Sequence, residues 1–86
     1  MAPSNTISLL IQSRDDILFE GLIQSMTSYN DTGKFDILPD HANFISLINK
    51  SITIRPLEGD IKEIPIDNGV LRVIDNKIEI YLGVKK

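Results

Sequence analysis

The chain has 86 residues, of which 42% are hydrophobic, and its formal net charge is −3. This length suits one hydrophobic core, so we expect a single domain over residues 1–86, with residues 1–5 as a loose tail. A mildly acidic chain lacks the basic stripe that nucleic-acid-binding proteins carry, so we expect no nucleic-acid partner. The sequence has no cysteine, no secretory signal and no apolar run of about 20 residues. These features predict an intracellular protein without disulfides or thiolate metal sites.

Alternation of apolar and polar residues predicts strands along the first half of the chain. Residues 6–12 place their apolar side chains on one face, which is typical of a half-buried strand. Residues 16–21 and 22–29 are predicted to form two further strands, the second with a bulge. Residues 41–50 contain several apolar residues, but this stretch is short and rich in asparagine. We expect it to form a turn that leads into a strand, rather than a helix.

The second half continues the same pattern. Residues 50–57 alternate between apolar and polar side chains. Residues 60–67 carry Pro65 between two isoleucines, which is typical of an edge strand or a bulge. Residues 69–74 and 77–84 complete the predicted strands. The residues predicted to face inward are Leu9, Ile11, Phe19, Ile37, Ile52, Ile54, Ile66, Leu71, Val73, Ile78 and Ile80.

Turn-forming residues separate the strands of the second half. Glu58–Gly59–Asp60, Asp67–Asn68–Gly69 and Asp75–Asn76–Lys77 lie eight to nine residues apart. Such spacing is typical of consecutive hairpins. We therefore predict an all-β fold, an antiparallel two-sheet β-sandwich or flattened barrel of about 8–10 short strands.

His41 is the single histidine of the sequence, and it lies in the segment GKFDILPDHANF, residues 33–44. A metal site usually needs several converging ligands, and the adjacent Asp40 and His41 would point to opposite faces of an extended segment. A catalytic triad that joins His41 to a distant Asp or Ser stays open, although the sequence has no glycine-flanked serine of the nucleophile-elbow type. The third possibility is a loop that contacts another protein.

Nucleotide binding is not expected from the sequence. Thr32–Gly33–Lys34 lacks the upstream glycine and the following Ser or Thr of a phosphate-binding loop. We therefore expect no cofactor and no bound nucleotide.

The segment around His41 resembles the signature of the epsilon subunit of F-type ATP synthases, which is called delta in mitochondria. In that family a glycine, any residue, an apolar residue and Gly-Ile-Leu-Pro-Gly-His-Ala-Pro recur in the amino-terminal β-sandwich domain. Leu18–Phe19–Glu20–Gly21 and Gly69–Val70–Leu71–Arg72–Val73 resemble two further family segments, and the order agrees over roughly residues 6–82. The matching positions of the signature are Gly33, Phe35, Ile37, Leu38, Pro39, His41 and Ala42.

Three positions depart from this signature. Asp36 and Asp40 replace glycines, and Asn43 replaces a proline. Aspartate tolerates a left-handed backbone, so we expect Asp40 to keep the turn that a glycine would make. Typical bacterial members continue into a helical hairpin that contacts the catalytic head, slows ATP hydrolysis and in some members holds ATP. The sequence ends at Lys86, so we do not expect these activities of it.

The resemblance implies a mechanical, non-catalytic function. Family members clamp the foot of the gamma subunit and rest on the polar loops of the membrane rotor ring. They are central-stalk subunits that couple proton or sodium flow to ATP synthesis, as peripheral proteins on the cytoplasmic face of the inner or plasma membrane. The residues implied to bind these partners are Asp31, Lys34, Asp36, Pro39, Asp40 and His41. The alternatives are a stand-alone epsilon-like module that binds a protein outside ATP synthase, and an enzyme that uses His41.

Overall fold

The computed structural model describes residues 6–83, so the tail expected at residues 1–5 lies outside the described part. Within residues 6–83 the regular structure consists of strands, which confirms the predicted all-β fold. No helix capable of crossing a membrane occurs in this range. The strands are β1 (Ile7–Gln12), β2 (Ile17–Asn30), β3 (Gly33–Ile37), β4 (Phe44–Pro56), β5 (Lys62–Ile74) and β6 (Lys77–Leu82).

The strands form a sheet that closes on itself. Their order is β1-β6-β5-β4-β2-β3, and β1 also pairs with β2, so five strands close into a ring and β3 extends it. β1 and β6 are parallel, and the other pairs are antiparallel. The first half of β2 pairs with β1 and its second half with β3 and β4. Long strands shared in this way let one ring form the two packed layers of a flattened barrel.

The predicted number of strands was too high, because three strands are 13 or 14 residues long. From Ile17 on, the stretches 16–21 and 22–29 lie in the single strand β2, which carries the predicted bulge as register shifts against β4. From Lys62 on, the stretches 60–67 and 69–74 lie in the single strand β5. Bulges within a long strand contain the same residue types as turns between short strands. The prediction therefore placed turns where the strands continue.

The predicted turn at Asp67–Asn68–Gly69 was wrong, since these residues lie inside β5. The register of β4 and β5 shifts there: Asn49 is opposite Asn68, whereas Lys50 is opposite Ile66. Lys50 adopts φ 72°, as expected at a bulge. The absence of a side chain at Gly69 lets β6 pack closely, because a Cβ added there would lie 3.0 Å from the Tyr81 carbonyl oxygen.

Two other predictions about the second half were right. Asp75 and Asn76 have φ values of 51° and 64°, as in a type I′ turn, and they join β5 to β6. Pro65 lies opposite Ser51 of β4, whereas pairing of β5 with β6 starts at Gly69. This part of β5 is therefore paired on one side, which suits a residue that has no N–H group.

The core follows the predicted alternation. Nine of the eleven residues predicted to face inward are buried, and Phe19 and Ile66 are partly buried and pack against the core. Four buried residues were not on the predicted list: Ile7, Ile23, Met26 and Ile48. The last three lie next to the irregular stretches of β2 and β4. The buried hydrophobic residues are Ile7, Leu9, Ile11, Ile23, Met26, Ile37, Ile48, Ile52, Ile54, Leu71, Val73, Ile78 and Ile80.

Candidate contact surface

The loop between β3 and β4, residues 38–43, is built on a tight turn. The His41 N–H donates to the Leu38 carbonyl oxygen at 3.2 Å. Proline fixes its own φ near −65°, which suits the second position of such a turn, occupied here by Pro39. Asp40 follows at φ 66°, as a type II turn requires of its third residue. The expectation that Asp40 takes a left-handed backbone is confirmed.

Hydrogen bonds fasten this loop to the turn between β5 and β6. The Asp40 N–H donates to Asn76 Oδ1 at 2.6 Å, and Asn76 Nδ2 donates to Asp40 Oδ1 at 3.2 Å. The Asp75 N–H donates to Asn43 Oδ1 at 2.9 Å. The carbonyl oxygen of Asn76 also accepts a hydrogen bond from the Ser8 N–H at 2.9 Å. Asn76 therefore links the loop, the hairpin turn and the region where β1 begins.

Asp36 is also tied to a neighbouring strand. Thr27 Oγ1 of β2 donates to Asp36 Oδ1 at 2.5 Å. Arg55 Nη1 of β4 donates to Thr27 Oγ1 at 2.9 Å and to Ser25 Oγ at 3.3 Å. Thr27 is nearly buried, so these polar groups form a compact network on the outer side of β2. A charged donor and a carboxylate acceptor at its ends strengthen such a network.

The surroundings of His41 are local. Its Nδ1 lies 2.7 Å from the Ala42 carbonyl oxygen, to which it donates in the tautomer that carries the proton there. Its ring centroid lies 5.0 Å from that of Phe44. Across residues 6–83 no group of three or more His, Cys, Asp or Glu side chains is placed to hold a metal ion. The geometry presents His41 as a side chain packed on its own loop, rather than as one aimed at a hydroxyl or a carboxylate.

The six residues predicted to bind partners do not converge on one point. Asp31 lies in the turn between β2 and β3, and Lys34 and Asp36 lie on exposed positions of β3. Pro39, Asp40 and His41 follow in the loop at the other end of β3. Five residues of a strand span roughly 16 Å. The predicted residues therefore form a strip along β3, with a charged turn at one end and the fastened loop at the other.

The structure shows a second surface that the sequence reasoning missed. On the outer side of β4, β5 and β6, five large apolar side chains are 41% to 70% exposed. Leu47 lies opposite Val70, and Val70 lies opposite Tyr81. We call this surface the outer apolar face, and its residues are Ile45, Leu47, Val70, Ile74 and Tyr81. The sequence did contain a signal for this face: apolar residues also occupy positions that alternate with the core residues. Strands that are covered on both sides are apolar on both sides.

An ion pair lies within the outer apolar face. Arg72 and Glu79 form it at 2.5 Å, in the same cross-strand row as Ile45, and Arg72 lies between Val70 and Ile74 along β5. A shallow depression of about 300 Å³ separates Ile45 and Leu47 from the Asp31 turn. Another of about 360 Å³ lies where Ile45 and Ile74 meet the fastened loop at Asn43. An exposed apolar patch of several large side chains is typical of a protein-binding surface.

Solved structures share this fold. A chain of the Euglena gracilis mitochondrial ATP synthase, determined as its OSCP/F1/c-ring part, aligns with a TM-score of 0.83 and 17% identity over 93% of this chain and 51% of that chain. A chain of the Tetrahymena thermophila mitochondrial ATP synthase central stalk and c-ring aligns with a TM-score of 0.76 and 12% identity, over 91% of this chain and 63% of that chain. At this level of identity the likeness concerns the fold.

Curated relatives agree with the structural match. The ATP synthase epsilon chain of a Nitratiruptor species is 31% identical over 74 residues, which are 85% of this chain and 57% of that protein. The ATP synthase epsilon chain of Campylobacter fetus subsp. fetus is 28% identical over 79 residues, 91% of this chain and 61% of that protein. The chain thus spans less than two thirds of the length of these relatives.

A family model covers the whole of the described fold. Residues 6–83 match the model for the beta-sandwich domain of the ATP synthase delta/epsilon chain. The matched residues include all six strands, the fastened loop and the outer apolar face. The chain therefore belongs to the family of ATP synthase delta/epsilon chain beta-sandwich domains.

Proposed function

We propose that the chain is an epsilon-type central-stalk subunit of a proton- or sodium-translocating F-type ATP synthase. In this role it binds the gamma subunit and the rotor-ring subunits and couples ion flow to ATP synthesis without catalysing a reaction. It is peripheral to the membrane through the complex, on the cytoplasmic face of the inner or plasma membrane. The observation that carries the proposal is the outer apolar face, which leaves large side chains exposed on a fold of this family.

The outer apolar face is the surface that we assign to the gamma subunit. Its side chains stand on paired strands of the closed ring, so their backbone is already ordered before binding. Binding there buries apolar area at a low entropic cost. The Arg72–Glu79 pair is exposed and contributes only about 0–1 kcal/mol to folding. On this face it serves to fix the orientation of the partner more than to add affinity.

The strip along β3 is the surface that we assign to the polar loops of the rotor ring. It carries charges of both signs, including Asp31 and Lys34, and both of these side chains are exposed. Charged residues on a rim fix register and raise the association rate more than they add affinity. The strip and the outer apolar face meet at the turn of Asp31, so one domain can touch two partners at once.

The test is a comparison of two isoleucines with nearly equal exposure. Ile45 lies on the outer apolar face and is 68% exposed, whereas Ile61 lies in the loop between β4 and β5 and is 65% exposed. We expect Ile45→Lys to weaken binding of the purified gamma subunit by about tenfold or more, because a lysine buried against the partner must lose its hydration. Ile61→Lys should change the affinity less than about twofold.

Titration calorimetry with the gamma subunit gives both affinities, and a thermal melt shows that each variant is folded. Equal affinities of the two variants would contradict the assignment of the outer apolar face to the gamma subunit. If the unmodified chain did not bind the gamma subunit, the proposed function itself would be contradicted.

A further inference from the structure

Arg72 and Glu79 form a charge pair that has apolar neighbours on both sides. In the cross-strand row of the pair, Ile45 of β4 lies beside Arg72, and Leu10 of β1 lies beside Glu79. The side chains of the pair are 48% and 34% exposed, so water reaches both of them in the free chain. A partner that covers the outer apolar face removes this water from the pair as well.

The pair leaves hydrogen-bonding groups uncommitted. Arg72 Nη2 donates to Glu79 Oε1 at 2.5 Å, and within residues 6–83 this is the one hydrogen bond that either side chain makes. A guanidinium carries more N–H donors than one such contact uses, so the surplus consists mainly of donors on Arg72. Once the face is covered, each donor without an acceptor costs free energy. The partner must therefore supply acceptors opposite Arg72.

We propose that Arg72 determines the specificity of the outer apolar face, and that the gamma subunit presents an Asp or Glu carboxylate to it. The choice of the gamma subunit as partner rests on the proposed function. A carboxylate suits the site because it accepts bidentate hydrogen bonds from a guanidinium and carries the opposite charge. Glu79 holds Arg72 from one side, and the carboxylate of the partner binds it from another. A surface without this carboxylate leaves donors of Arg72 buried and unpaired, and is rejected for that reason.

Lys77 provides a matched control for the charge of Arg72. It is exposed on β6 and lies opposite Ile74, where the hairpin turn begins, two positions before Glu79. Residues two apart on a strand share a face, so Lys77 adds a positive charge to the same side of the sheet. A general electrostatic attraction to the partner would depend on both cations, whereas a direct contact depends on Arg72.

Calorimetric titration with the purified gamma subunit tests the contact. Arg72→Gln should weaken binding by about tenfold or more, because Glu79 and the carboxylate of the partner would be buried without their cation. Lys77→Gln removes the same charge and should change the affinity less than about threefold. Both variants should melt close to the unmodified chain, because the pair is exposed before binding. Equal affinities of the two variants would overturn the proposal.

An exchange of the two charges separates recognition from folding. The double variant Arg72→Glu with Glu79→Arg keeps a cross-strand ion pair and the net charge, so its melting temperature should change little. Its affinity should fall by at least as much as that of Arg72→Gln, because like charges would then face each other. An affinity equal to that of the unmodified chain would overturn the proposal.

The carboxylate of the partner is located by changing exposed Asp and Glu residues of the gamma subunit, one at a time, to Asn or Gln. At one position we expect a loss of about tenfold with the unmodified chain and of less than about threefold with Arg72→Gln, because both changes remove the same contact. If no position showed this coupling, the proposal would be overturned while the proposed function stood. If the unmodified chain did not bind the gamma subunit, both would be rejected.

Discussion

Asn76 illustrates how one residue can serve several parts of the fold. Its positive φ closes the hairpin, its amide holds the Asp40 loop, and its carbonyl oxygen meets the N–H of Ser8. The turn at Pro39 and Asp40 was predictable, because a proline followed by a residue that tolerates a left-handed backbone is a local signal. Its bond to a residue 36 positions away was not predictable, since an asparagine in a turn looks the same with or without a distant partner.

Ile37 and Leu38 are neighbours whose substitutions can be compared directly. Ile37 is 0% exposed within the core and Leu38 is 58% exposed, although the two are adjacent. Ile37→Ala should cost about 2–5 kcal/mol of unfolding free energy through the cavity that it leaves. Leu38→Ala should stay within about 0.5 kcal/mol. Urea unfolding measures both, and similar losses for the two variants would mean that the register of β3 is misassigned.

The long strands of the fold contain internal irregularities. Alternation predicted the inward faces on both sides of each irregularity, because the period of two resumes after it. The continuity of β2 and β5 was not predictable, since Asp67–Asn68–Gly69 has the composition of a hairpin turn. What separates a bulge from a turn is the presence of a partner strand alongside, and this depends on residues far away in the chain.

Gly69 tests the continuity of β5. Gly69→Ala should cost about 1–3 kcal/mol, because the new Cβ would lie 3.0 Å from the backbone oxygen of Tyr81. The matched control is Gly21→Ala in β2, where the nearest atoms would lie at an ordinary 3.7 Å. This change should be neutral or stabilising by up to about 0.5 kcal/mol, because alanine suits a strand better than glycine. A thermal melt of each variant shows which one is less stable. Equal melting temperatures would contradict close packing at Gly69.

At the scale of the whole molecule, closure of five strands into a ring explains how a chain of 86 residues builds a core. A closed ring leaves few strand edges, so β3 and the unpaired parts of long strands carry most of the exposed backbone. The fold class was predictable, because periodicity and turn residues are local. The proposed contact surfaces have different origins: the strip along β3 was inferred from a resemblance, whereas the outer apolar face became visible only from the pairing of β4, β5 and β6.

The central claim is that this domain is held between the gamma subunit and the rotor ring. Its most direct test is electron cryo-microscopy of the complex purified through an affinity tag on this chain. We predict that ATP synthase subunits co-purify and that Ile45, Leu47 and Tyr81 of the outer apolar face lie against gamma, with the strip along β3 towards the ring. The claim would be contradicted if the chain purified without ATP synthase subunits, or if these three residues faced solvent in the assembled complex.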